Sequence, residues 1–125
     1  GGTVTMELIK SRELEIKFYK SGVEYRTDWV HLDALDPKNI SYSTEEKALI
    51  LRCKPEAEYT GRLKKYKDGC VQREIPEKGL AGQYGRINFE LSPNNKKTIN
   101  GLQKAFTHLV KLAQEEGYSG SMVFE

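Results

Sequence analysis

Apolar and polar residues alternate with a period of two along the first part of the chain. Val4, Met6 and Leu8 are separated by Thr5 and Glu7, and Leu14, Ile16 and Phe18 by Glu15 and Lys17. Successive side chains of a strand point to opposite faces, so both runs predict half-buried strands. Lys10-Ser11-Arg12 predicts a short polar connection, and Lys20-Ser21-Gly22 the next turn, where Gly22 can supply a positive φ. Val23 to Arg26 predicts a third strand, and Trp29, Val30 and Leu32 another short strand or an irregular buried segment. Asp36-Pro37 predicts a break, because proline lacks a donor and keeps the preceding residue out of helix. A hairpin follows, with Ile40 and Tyr42 in one arm and Ala48 to Cys53 in the other. The second arm is apolar on both faces and predicts a central strand.

Residues 54–69 carry two of the chain's breakers, Pro55 and Gly61, many charges and a closing Gly69, and read as the least ordered stretch. Val71 to Ile75 predicts a paired strand, Gly79, Gly82 and Gly85 a flexible connection, and Ile87, Phe89 and Leu91 the last strand. The period then changes. Ser92-Pro93-Asn94-Asn95 predicts a break and a helix cap, after which Ile99, Leu102, Phe106, Leu109, Val110 and Ala113 recur at helical spacing. Gly101 within that helix suggests close packing against the sheet, and Gly117 predicts its stop. Tyr118 to Glu125 either frustrates the helix end or adds an edge strand.

Six to eight antiparallel strands followed by one helix is an α+β order within a single domain spanning 1–125. One helix cannot cover both faces of a large flat sheet. The expected architecture is therefore a strongly bent sheet or partly open β-barrel closed by the C-terminal amphipathic helix. This order, carried by the strand Arg86–Leu91 and the helix Lys96–Glu116, resembles the pleckstrin-homology-like fold. The chain departs from that pattern in placing Phe106 in the closing helix and its single Trp at position 29. Its Lys17, Lys20 and Arg26 are interleaved with Glu15 and Glu24, so the phosphoinositide-binding basic run is not reproduced. Separately, the turn Leu35-Asp36-Pro37 and the Ala-x-x-His-Leu segment from Ala105 to Leu109 resemble small uncharacterised, often exported proteins of gut-type Bacteroidetes, a likeness that implies no activity.

Charge changes the picture little. Lys and Arg total 20 against 18 Asp and Glu, a net charge of +2, so neither a specific nucleic-acid partner nor an anionic membrane is predicted from overall charge. No apolar run approaches the roughly 20 residues of a transmembrane helix. No signal peptide is visible. The chain opens Gly1-Gly2 rather than Met, which fits either a start at Met6 with residues added ahead of it or a trimmed leader. Cytoplasmic and exported settings both follow from that.

Two cysteines, Cys53 and Cys70, are too few for a disulfide framework and form no CxxC. A buried thiol and an incidental loop thiol are expected; a Cys53–Cys70 bridge is the alternative in an exported protein. With His31 and His108 so scattered, neither zinc nor another cofactor is expected. Asp28, Asp33 and Asp36 lack the alternation and glycine of a calcium loop and read as turn and cap residues. The glycines at 79, 82 and 85 precede a strand, whereas a phosphate loop precedes a helix.

The sharpest local feature is Arg62-Leu63-Lys64-Lys65-Tyr66-Lys67, four cations around a tyrosine. Such a run is usually a solvated face. If the chain binds an anion, Arg62, Lys64, Lys65, Tyr66 and Lys67 are the residues expected to hold it. Three functions follow in order. The first is a non-catalytic module that holds a protein or peptide along a sheet edge. The second is anion or lipid-headgroup binding through 62–67. The third is a small hydrolase using Cys53 or Cys70 with a histidine such as His108, whose surroundings carry no recognisable nucleophile motif.

Overall fold

The computed structural model describes residues 2–10 and 12–115, Lys10 and Arg62 by their backbone alone. The alternating N-terminal runs form an antiparallel meander: β1 (Gly2–Lys10), β2 (Glu13–Lys20) and β3 (Val23–His31). Leu14, Ile16 and Phe18 of β2 turn into the core, opposite Leu8, Met6 and Val4 of β1. Ser21 and Gly22 both take positive φ, 52° and 79°, the geometry whose twist suits a two-residue hairpin. β3 is one continuous strand rather than two segments. It runs through Thr27 and Asp28, both buried, which is why its polar residues looked like an interruption.

A 3-10 turn at Leu32–Ala34 leads into β4 (Leu35–Ser43), which pairs with β5 (Ala48–Cys53). The expected break at Asp36-Pro37 is instead a register shift inside β4, between Leu35 and Ile40. β4 is an edge strand, where a missing donor costs no ladder bond. The Asp36 carboxylate accepts the Lys38 amide at 3.0 Å, the turn role expected of it. β6 (Val71–Ile75) and β7 (Leu80–Tyr84) make a further hairpin, so Gly79–Gly85 holds a strand and not only a flexible connection. β8 (Arg86–Glu90) then pairs with β5.

The eight strands form two antiparallel sheets, β1-β2-β3-β6-β7 and β4-β5-β8, which are not closed into a barrel. β5 is the centre of the smaller sheet, and Ala48 to Leu51 are fully buried on both faces. The helix α1 (Lys96–Gln114) seals the core with Ile99, Phe106, Val110 and Ala113. Phe106 stacks on Phe89 at 5.4 Å, and Phe89 on Phe18 at 5.9 Å, so one aromatic file joins helix, small sheet and large sheet. Burying each such ring contributes about 1.5–3 kcal/mol. Gln103 and Gln114 donate to the carbonyls of Ile40 (2.9 Å) and Leu35 (2.7 Å), fixing α1 along β4. Gly101 faces solvent, so close packing does not explain it. Asn95 takes the cap position without a side-chain hydrogen bond. Gly117 and Tyr118 to Glu125 lie outside the described residues.

Residues 54–69, expected to be the least regular, contain two 3-10 helices, Glu56–Glu58 and Gly61–Tyr66. Tyr59 between them is buried and donates to the Ala34 carbonyl at 3.3 Å. Burial, helped by Glu58, pushes its phenol above the ordinary value of 10.0. The fold thus favours the neutral ring. That contribution is complete below about pH 10 and is lost as pH rises through the raised value. Tyr59→Phe is expected to flatten the alkaline fall in melting temperature above about pH 10. An unaltered slope would assign the fall to other groups.

Candidate functional site

Cys53 and Cys70 are joined in a disulfide with a sequence separation of 17. Two separate thiols were the first expectation and this bridge the alternative. The bridge forms because Cys53 ends β5 and Cys70 precedes β6, and it ties the small sheet to the large one. Neither sulfur is a thiolate in this state, which removes the nucleophile from the Cys–His arrangement. His108 is exposed on α1. His31 pairs with Glu13, its Nε2 3.1 Å from the carboxylate. Its ring stacks on Tyr66 at 4.2 Å, with the phenol 3.1 Å from Nδ1.

That stacking places the basic segment. Leu63 and Tyr66 pack against the core, while Lys64, Lys65 and Lys67 stand exposed and make no ion pair among the described residues. Lys65 Nζ lies 5.2 Å from the Tyr66 ring centre. The backbone of Arg62 belongs to the same 3-10 helix, and its side chain lies outside the described part. One face of Tyr66 is therefore covered by an imidazole.

Asp28 has a different role from the turn residue expected. It is fully buried on β3 and grips two arginines. Arg26, two residues earlier on the same face, donates from Nη2 at 2.8 Å, and Arg73, directly across on β6, from Nε at 2.9 Å. Arg26 also lies over the Phe18 ring at 4.0 Å. No sequence motif announces this cluster, since Arg73 lies 45 residues from Asp28.

The two sheets leave a seam where β1 and β2 stand away from the outer edge of β8. A groove of about 300 Å³ lies there, lined by Val4 and Met6 of β1, Phe18 of β2, Phe89 and Leu91 at β8, and Leu102 of α1. Val4 and Met6 point to the core side in register with Phe18 and Ile16, yet are 38% and 45% exposed. β1 and β8 are both edge strands, whose outward backbone groups have no strand partner among the described residues.

Among the described residues no group of three or more His, Cys, Asp or Glu could hold a metal ion, and no helix is long and apolar enough to cross a membrane. No protein family, curated protein or solved structure matches the chain.

Proposed function

We propose that the chain is a non-catalytic binding module that accepts an extended, apolar peptide in the seam between β1–β2 and β8. The observation that carries this reading is the uncovered inward row of Val4 and Met6 facing a second unpaired edge. An added strand can pair its backbone with one edge and place alternate side chains on the apolar floor. Non-specific edge pairing is usually blunted by charge or proline, and β1 has neither on its inward face before Lys10. The likeness to pleckstrin-homology-like domains belongs to this reading, resting on the helix that closes the sheets.

Selection of peptides from a random display library on the intact protein tests it. Enriched peptides are expected to alternate apolar and polar residues. Met6→Asp, a change at an exposed position, is expected to weaken their binding by about tenfold or more. Peptides that bind the variant as tightly as the parent would remove the seam as the site. A second reading, an anion or lipid headgroup held by Lys64, Lys65 and Lys67, is favoured by their exposure and lack of ion-pair partners.

A further inference from the structure

A second depression, about 780 Å³, shares Asn88 of β8 with the groove, with Arg52, Arg73, Arg86, Tyr84 and Asn39 around it and no Asp or Glu in its lining. Arg52 and Arg86 are direct cross-strand partners on β5 and β8. Like charges so placed repel, and an edge position offers many residues that would avoid it. Arg73 reaches the same spot from the other sheet, its Nη2 3.3 Å from the Arg86 carbonyl. The Tyr84 ring lies 4.3 Å from the Arg73 guanidinium and holds its plane.

The existing partners leave positive charge unspent. Arg86 is paired with Glu46 at 2.7 and 3.0 Å, an exposed pair at the rim. Arg73 shares Asp28 with Arg26, so one carboxylate serves two guanidiniums. Arg52 donates only to neutral oxygens, at 3.0 Å to Ser41 and 3.4 Å to Asn39. Its Nε and Nη2, with Arg73 Nη1, make no hydrogen bond among the described residues. Planar guanidiniums with donors to spare are matched by oxyanions, and forks approaching from two sheets suit a tetrahedral group better than a single planar carboxylate.

We infer that this cleft binds phosphate or sulfate, either as the free ion or as the monoester of a small molecule. Arg52 is the principal donor and Arg73 the second. Glu46 competes with the ligand for Arg86.

The test is a titration of the isotopically labelled, disulfide-intact protein at low ionic strength, followed by amide NMR shifts. The probes are inorganic phosphate, inorganic sulfate, phenyl phosphate and acetate. Saturable shifts are expected at residues 52, 73 and 84–88, with the tetrahedral ions binding about tenfold more tightly than acetate. Tighter binding of phenyl phosphate than of inorganic phosphate identifies the ester as the preferred form, and the reverse order the free ion. Arg52→Gln is expected to weaken binding by about tenfold. Glu46→Gln, which releases Arg86, is expected to strengthen it several-fold. Binding unchanged in both variants, shifts confined to 61–67, or no saturable shift would overturn the assignment.

Discussion

Asp28→Asn is expected to lower the free energy of unfolding by about 3–5 kcal/mol, the usual result of deleting one member of a buried ion cluster. The carboxylate has no exposure, and the arginines it holds are only 14% and 13% exposed at their side chains. Without it, two guanidiniums are left side by side across β3 and β6, with too little water to screen them. Urea is the suitable denaturant, because guanidinium salt would screen the charges being tested. A triple change of Arg26→Met, Asp28→Leu and Arg73→Met is expected to recover much of the loss, since an apolar replacement leaves no charge unpaired. If Asp28→Asn costs under about 1 kcal/mol, the cluster behaves as a solvated surface pair instead.

Removing the Cys53–Cys70 bridge by the double change to Ser is expected to cost about 3 kcal/mol, from the unfolded-chain entropy a loop of this length releases. For a chain of this size that corresponds to a fall in melting temperature on the order of 10 °C. Reducing agent should produce the same fall in the parent protein and none in the double variant. Equal melting temperatures for parent and variant would mean that the turns at 54–69 already hold the two sheets together. Tyr59 on Ala34 and the left-handed Gly69 are the features that would do so: a side chain at Gly69 would come within 2.6 Å of the Tyr84 carbonyl.

The strand and helix patterns were legible because each rests on local periodicity. Leu14, Ile16 and Phe18 went inward as alternation requires, and the stripe from Ile99 to Ala113 sealed the core. Val4 and Met6 follow the same alternation yet remain uncovered, because periodicity gives a side chain's direction and not whether anything meets it. The smooth continuation of β3 was hidden by Asp28, a charge that a strand buries only when arginines wait across the sheet. The disulfide was legible only as the alternative to two thiols, and the three-arginine cleft not at all. Both assemble residues from strands remote in sequence, whereas the contiguous cations at 64–67 drew notice by adjacency alone.

The position of Asp28 has one more consequence. Arg26 borders the apolar groove and Arg73 the arginine cleft, and Asn88 lines both, so two neighbouring openings lean on a common carboxylate. Were the proposed oxyanion to draw Arg73 outward, Asp28 would be left to Arg26 at the mouth of the neighbouring groove. Such a coupling would be reciprocal: the factor by which an oxyanion changed affinity for the proposed peptide would equal the factor by which the peptide changed affinity for the oxyanion.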